Sequence, residues 1–149
     1  MALKKARDLM TENPSCITPE ATAQEAAHMM DDQDVGSLPV VEGGSNRLVG
    51  IITDRDLAIR VLARGESGNL PVSDVMSKKD LACVRSEDDI DTVEKLMVRY
   101  QVRRIPVVDS QDRVVGVIAQ ADLARERREL GEKDIAKVVE KISEPAGVR

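Results

Sequence analysis

The chain has 149 residues, with 22 Lys and Arg against 27 Asp and Glu, for a net charge of −5. Because 42% of the residues are hydrophobic, the chain can bury a core, which excludes disorder as its default state. The acidic balance argues against a general nucleic-acid binder, and one Tyr without Phe or Trp cannot build a base-stacking platform.

The N-terminal ten residues carry four charged side chains where a secretion signal needs an uninterrupted apolar stretch. No apolar run approaches the roughly 20 residues that a membrane-spanning helix needs. We therefore expect a soluble, cytoplasmic protein without membrane contact. Two cysteines and one histidine predict neither a disulfide framework nor a metal site, and no required cofactor is expected.

The first half of the chain predicts a strand, a helix, a hairpin and a second helix. A capping box, Thr-Ala-Gln-Glu, opens the first helix, and a Gly stops the second. Two apolar runs around turn residues indicate the hairpin. The predicted elements are a strand near Cys16 to Thr18, a helix capped by Thr22, strands over Leu38 to Val41 and Leu48 to Ile52, and a helix over Asp54 to Arg64 ended by Gly65.

The second half of the chain predicts the same order of elements. The expected elements are a strand at Val84, a helix capped by Asp89, strands over Ile105 to Val108 and Val114 to Ile118, and a helix over Gln120 to Leu130 ended by Gly131. Matching motifs recur 66 or 67 residues apart, as in Asp8-Leu-Met-Thr and Asp74-Val-Met-Ser.

The repeat predicts an α+β fold of two βαββα units. We place repeat 1 at residues 1–68, repeat 2 at 69–131 and an amphipathic tail at 132–149. One copy alone leaves a sheet face uncovered, so the two copies are expected to pack sheet to sheet about a pseudo-two-fold axis that generates two related clefts. The apolar stripe of the tail predicts either a helix closing the domain edge or a dimer contact; it consists of Ile135, Val138, Val139 and Ile142.

Thr53-Asp-Arg-Asp56 follows the predicted strand of the first hairpin. The Thr-x-x-Asp spacing is typical of a helix capping box. It also suits ligand binding, because a helix start offers unpaired N–H groups to a phosphate and a carboxylate can accept hydrogen bonds from ribose hydroxyls. The second copy keeps Asp122 and has Ala119 in place of the Thr.

Arg103 and Arg104 precede the second hydrophobic-Pro strand, where the first copy has Gly36 and Ser37. Two arginines in this position are either solvated surface charges or a phosphate clamp, since guanidinium is a preferred phosphate partner. The difference between the copies predicts unequal clefts.

Pro39 and Pro106 are expected at sheet edges or strand starts, because proline donates no ladder hydrogen bond. Cys16 and Cys83 are interpreted as small buried hydrophobes, with a disulfide or redox switch as the alternative. His28 is expected on a helix surface. We find no nucleophile and base at catalytic spacing, so no catalytic residue is assigned.

The two hydrophobic-Pro-Val strands and the doubled Gly-hydrophobic-x-Thr-x-x-Asp type motif resemble the tandem cystathionine-β-synthase (CBS) domain pair, or Bateman module, over roughly residues 3–130. The resemblance implies a regulatory module that binds AMP, ADP or ATP, ahead of S-adenosylmethionine or NAD, and a homodimer that acts on a protein effector.

The resemblance also implies the ligand contacts. Asp56 and Asp122 would bind ribose and Thr53 would lie near phosphate. Arg103 and Arg104 would serve the Asp56 cleft, and Ser37 the Asp122 cleft. The adenine would be flanked by Ile17 and Thr18 in one copy and by Val84 and Arg85 in the other, with Pro39 and Pro106 as cleft walls.

Three functions follow as hypotheses. The first is a sensor of adenine nucleotides, and the second is a dimerisation scaffold with empty clefts in which Asp56 only caps a helix. The third, an enzyme working in the cleft, lacks a nucleophile-base pair or a metal set, so we rank it last.

Overall fold

The structure is a computed structural model that describes residues 4–131. Its helices are α1 (Ala6–Leu9), α2 (Ala23–Gln33), α3 (Asp54–Asp56), α4 (Ile90–Tyr100) and α5 (Gln120–Leu130). Its strands are β1 (Thr11–Glu12), β2 (Ser37–Val41), β3 (Leu48–Thr53), β4 (Val84–Arg85), β5 (Arg104–Val108) and β6 (Val114–Ala119). The chain continues from α3 as a π-helix over Leu57–Leu62, and a 3-10 turn covers Val72–Asp74.

The predicted helix caps are present. The Thr22 hydroxyl accepts from the backbone N–H of Glu25 at 3.0 Å, and the Asp89 carboxylate accepts from Thr92 at 2.9 Å. Helix α5 ends at Gly131, whose φ of 74° lies in the left-handed region that favours glycine. The order of helices and strands confirms the mixed α/β class with two repeats.

The chain forms two compact units, which we name after their candidate ligand carboxylates. The Asp56 unit consists of Ser15–Leu81 with Asp112–Val114. Its sheet pairs β2 with β3 in antiparallel register, and single bridges join Ile17 to Val40 on one side and Ile51 to Ser77 on the other. Helix α2 and the π-helix contribute apolar side chains to its core. That core contains Ile17, Ala23, Ala26, Met30, Leu38, Val40, Ile52, Val61, Val72, Val75 and Met76.

The Asp122 unit consists of residues 4–14, 82–111 and 115–131. Its four-stranded sheet has the order β1-β6-β5-β4. Helices α1, α4 and α5 contribute to its core, which contains Ala6, Val84, Ile90, Val93, Met97, Ile105, Val107, Ile118 and Leu123.

The segment that precedes each repeat packs in the unit of the other repeat. In the Asp122 unit, β1 pairs Thr11 with Val117 of β6. In the Asp56 unit, Ser77 pairs with Ile51 of β3. The sequence boundaries at residues 68 and 131 stay a prediction, while the packing shows that the motifs at 8–11 and 74–77 play equivalent parts in opposite units.

Three details differ from expectation. The strand predicted near Cys16 to Thr18 is a single bridge at Ile17. The predicted helix over 54–64 is a short α-turn followed by a π-helix. Pro39 lies in the two-stranded pair as expected, but Pro106 lies in β5, between β6 and β4, so the prediction of an edge or strand start was wrong for it. Its missing N–H is tolerated because β4 has two residues and pairs with β5 only at Val107 and Val108.

Several further predictions concern exposure and position. His28 is exposed on α2 as expected. Cys16 and Cys83 are half-buried rather than fully buried, and burial raises the pKa of Cys16 to about 11. The predicted tail over 132–149 lies outside the described residues. Among residues 4–131, no helix is long and apolar enough to cross a membrane.

Candidate functional site

The candidate site of the Asp56 unit lies where β3 runs into α3. The Thr53 hydroxyl accepts from the N–H of Asp56, and Asp56 Oδ2 accepts from the N–H of Thr53, both at 3.0 Å. The capping box predicted from sequence is therefore present. It fixes the carboxylate of Asp56 at the first turn with one oxygen already bound to the backbone.

Backbone hydrogen bonds bring the start of β2 beside this junction. The N–H of Asp54 donates to the carbonyl of Gly36 at 2.9 Å, and Ser37 pairs with Thr53 across the hairpin. The approach is close, because a Cβ at Gly36 would lie 3.1 Å from Asp54 Oδ2. This close approach explains a small residue at position 36.

The predicted adenine-flanking residues of this unit lie on the other side of β2. The N–H of Ile17 donates to the carbonyl of Pro39 at 3.0 Å, and the N–H of Val41 donates back to Ile17 at 2.8 Å. The Ile17 side chain belongs to the core, whereas Thr18 and Pro39 are half-buried. Six predicted residues are thus gathered on neighbouring segments of one unit: Ile17, Thr18, Ser37, Pro39, Thr53 and Asp56.

The Asp122 unit repeats this geometry with a different cap. The N–H of Ala119 donates to Asp122 Oδ2 at 2.8 Å, and the N–H of Gln120 donates to the carbonyl of Arg103 at 2.9 Å. Ala119 has no hydroxyl, so the reciprocal half of the capping box is missing, as the sequence predicts. The same β-to-helix junction therefore presents a carboxylate in both units.

The remaining predicted residues of the Asp122 unit lie on β4 and β5. Val84 pairs with Val107 of β5, and both Val84 and Pro106 are buried. The Arg85 guanidinium donates to the carbonyl of Asp109 at 3.1 Å. Arg103 and Arg104 are exposed and lie in this unit with Asp122, not in the unit of Asp56.

Two arginines that the sequence analysis did not select approach the carboxylates. Arg60 Nε lies 3.8 Å from Asp56 Oδ1, and the Arg125 guanidinium donates to Asp122 Oδ1 at 2.8 Å. Both follow their aspartate at helical spacing, i+4 and i+3, and that spacing is the signal that would have identified them.

A groove of about 350 Å³ lies elsewhere in the Asp56 unit. Its lining is mostly apolar, and none of the predicted ligand residues contributes to it. The groove is lined by Ala23, Gln24, Leu57, Val61, Leu62 and Gly68.

Comparison with known proteins identifies the doubled unit. The CBS domain model matches residues 6–63 and again residues 72–129. The chain belongs to the CBS domain family. The two matches make it a CBS pair, in agreement with the resemblance that the doubled motif indicates.

Three relatives illustrate the range of this CBS pair's similarity. CBS domain-containing protein YhcV of Bacillus subtilis is 41% identical over 122 residues, which are 82% of this chain and 84% of the relative. The crystal structure of Hypoxic Response Protein I with two coordinated zinc ions has 33% identity and a TM-score of 0.73, covering 82% of this chain and 98% of that one. The CBS domain pair of protein MJ0100, in complex with 5-methylthioadenosine and S-adenosyl-L-methionine, has 26% identity and a TM-score of 0.71, covering 87% and 99%.

The zinc of the second relative has no counterpart cluster in the part of this CBS pair that the structure describes. Residues 4–131 contain no group of three or more His, Cys, Asp or Glu side chains arranged to hold a metal ion.

Proposed function

We propose that this CBS pair is a regulatory module that senses AMP, ADP or ATP at a site built on Asp56. One observation carries the proposal. Asp56 Oδ2 is held by the backbone N–H of Thr53, while Oδ1 lies beyond hydrogen-bonding distance of Arg60 Nε, at 3.8 Å. A carboxylate fixed in this way can accept hydrogen bonds from two vicinal ribose hydroxyls.

We assign the other contacts with adenosine to residues on the segments beside Asp56. Thr18 and Pro39 are half-buried, so they have surface to offer to a ligand, and so has Ser37, which the resemblance assigns to the Asp122 site. The side chains of Ile17 and Val84 are committed to the cores, and contacts at these two positions therefore fall to backbone atoms. The adenosyl ligands of the MJ0100 CBS pair support this class of ligand.

The phosphate is assigned to Arg103 and Arg104, as the family resemblance implies. Both guanidinium groups are exposed, and within residues 4–131 neither takes part in a hydrogen bond or ion pair. A planar guanidinium is well matched to phosphate oxygens. The Asp122 site is proposed as a second, weaker adenosine site.

The proposal predicts the effect of removing the charge of Asp56. Asp56→Asn keeps an oxygen that can accept from Thr53 and loses the charged acceptor for ribose. A hydrogen bond to a charged group contributes about 1.5–3 kcal/mol, so AMP binding should weaken about tenfold or more, because about 1.4 kcal/mol corresponds to one decade. Isothermal titration calorimetry with AMP measures this change.

Asp32→Asn is the matched control, since it removes the same charge from an exposed position on α2 of the same unit. It should leave AMP affinity unchanged. If Asp56→Asn binds AMP as tightly as the wild type, Asp56 is a helix cap and not a ribose ligand.

A second function, a homodimerisation or interaction scaffold, is favoured by a different observation. Leu62 is 78% exposed on the π-helix and lines the apolar groove. Exposed apolar surface of this kind is common at protein contacts. The scaffold and the sensor are distinguished by adenine nucleotides, because only a sensor is stabilised by them.

We assign to the bound nucleotide the role of changing how the protein binds a protein effector or associates with itself in the cytoplasm. The chain is proposed to regulate and not to catalyse, with the nucleotide as a regulatory ligand that is not consumed.

A further inference from the structure

The two candidate ribose carboxylates are followed by different side chains. Ile59 and Arg60 follow Asp56 at i+3 and i+4. In the other repeat, Arg125 stands at i+3 from Asp122. This difference between Ile and Arg changes how many oxygens of each carboxylate are available to accept a hydrogen bond from a ligand.

Asp122 has both oxygens engaged. Oδ2 accepts from the N–H of Ala119 at 2.8 Å, and Oδ1 accepts from the Arg125 guanidinium at 2.8 Å. The Arg125 side chain is 60% exposed, whereas that of Asp122 is 16% exposed. The guanidinium therefore covers the outer oxygen of a carboxylate that is otherwise largely enclosed.

Asp56 is as enclosed as Asp122, with a side chain 12% exposed, but within residues 4–131 its Oδ1 accepts no side-chain hydrogen bond, because its neighbouring arginine is held elsewhere. The Arg60 guanidinium donates to the carbonyl of Val75 at 2.9 Å and to that of Met76 at 3.2 Å. These carbonyls belong to the segment that follows the 3-10 turn in the same unit. Arg60 stays 3.8 Å from Asp56 Oδ1 and does not occupy its acceptor sites.

From this contrast we propose that Arg125 is a specificity-determining residue that lowers the nucleoside affinity of the Asp122 site, so that the Asp56 site fills first. The inference rests on the proposed function, because it concerns competition for the ribose-binding oxygen. A ribose diol reaching Asp122 must break the hydrogen bond from the Arg125 guanidinium, whereas a diol reaching Asp56 Oδ1 breaks no side-chain hydrogen bond and meets only the longer 3.8 Å contact with Arg60.

The size of the effect follows from the exposure of Arg125. An exposed ion pair contributes about 0.2–1 kcal/mol, so the competition should weaken nucleoside binding at Asp122 by about 1.4- to fivefold, at about 1.4 kcal/mol per decade. A difference of this size makes the Asp56 site fill at a lower nucleoside concentration than the Asp122 site, while the Asp122 site still binds.

The test isolates the Asp122 site in an Asp56→Asn background and adds Arg125→Ile, which installs the residue that the first repeat has at this position. Arg125→Ala is a second variant that adds no exposed apolar bulk. Arg128→Ile is the matched control, because it removes an equal charge from another exposed position on α5. Adenosine and AMP are titrated separately by calorimetry.

Arg125→Ile and Arg125→Ala should each tighten the binding of both adenosine and AMP by about 1.4- to fivefold, and Arg128→Ile should change neither. A loss of AMP affinity with unchanged adenosine would instead make Arg125 a phosphate ligand and overturn the proposal. Unchanged binding of both ligands, or no binding in this background with or without Arg125, also overturns it.

These outcomes are separable from failure of the proposed function. That function is judged on the single Asp56→Asn variant in an otherwise wild-type chain. If wild-type protein binds AMP and loses it in Asp56→Asn, the sensor stands even when Arg125→Ile has no effect. If wild-type protein binds neither adenosine nor AMP, both proposals fall together.

Discussion

Arg127 is bound by two carboxylates in a nearly closed environment. Its Nε donates to Glu94 Oε1 at 2.7 Å and a terminal nitrogen donates to Oε2 at 2.9 Å, while the same nitrogen also contacts Asp91. The side chains of Arg127 and Glu94 are 11% and 12% exposed. The hydrogen bond to Glu94 raises the pKa of Arg127 above its usual value, so the guanidinium stays charged.

Removing one partner of this pair should be costly. Arg127→Met leaves the Glu94 carboxylate enclosed without its counter-charge, and breaking a buried pair costs about 3–5 kcal/mol. The double variant Arg127→Val/Glu94→Ala, which copies Val61 and Ala27 of the first repeat, should recover most of this loss. Urea denaturation measures both free energies of unfolding. Arg128→Met, at an exposed position, should cost little, and an equally small cost for Arg127→Met would contradict the prediction.

At the residue scale, the sequence predicts groups whose partners are local. The Thr53–Asp56 box and the Thr22 and Asp89 caps need only three-residue spacing and the helix start, and the structure contains all of them. The different partners of Arg60 and Arg125 were not predictable in this way. Arg60 bonds to carbonyls 15 and 16 residues along the chain, so its rotamer depends on tertiary packing.

At the scale of elements, two strands depend on glycines that are covered by methionines. Met10 lies against Gly116 of β6, and Met76 lies against Gly50 of β3. A Cβ at Gly116 would approach Met10 Cβ to 2.8 Å, which is the stem of that side chain and cannot swing away. The repeated Asp-hydrophobic-Met motif thus supplies the cover for one hairpin in each unit.

Gly116→Ala should therefore destabilise the protein by about 1–3 kcal/mol, the usual cost of overpacking. Adding Met10→Ala should return part of that loss by making room for the new methyl group. Thermal or urea unfolding measures the changes. Gly43→Ala is the control, because a Cβ there meets nothing within 4 Å. A cost for Gly116→Ala no greater than for Gly43→Ala would show that β6 relaxes away from Met10.

The exchange of these motif segments between units could not be predicted from the sequence. The order βαββα is visible in capping, turn and apolar patterns, and the structure contains it except that the first strand of the first repeat is a single bridge at Ile17. However, Met10 and Met76 present the same apolar side chain at matching positions, and both hairpins offer a glycine, so the pattern fits either pairing equally well. Only packing decides that residues 4–14 join the second repeat.

At the scale of the whole molecule, the proposed function pairs Asp56 with the ribose of a nucleotide and Arg103 and Arg104 with its phosphate. Carboxylate and guanidinium serve different parts of a nucleotide, since ribose donates hydrogen bonds and phosphate accepts them. Adenosine therefore tests the ribose contact alone, and the difference between AMP and adenosine tests the phosphate contact.

A thermal unfolding experiment tests the ribose and phosphate contacts together. A ligand that binds only the native state stabilises it by RT ln(1 + [L]/Kd), about 2.7 kcal/mol at 100 times Kd, and AMP should then raise Tm by about 5–11 °C for a chain of this size. Arg104→Ala should reduce the AMP shift towards that of adenosine and leave the adenosine shift unchanged, whereas Arg64→Ala should alter neither. Equal losses for both ligands would exclude a phosphate role for Arg104. The absence of any shift with AMP, ADP or ATP would favour the scaffold, because a module with empty clefts gains no stability from nucleotides.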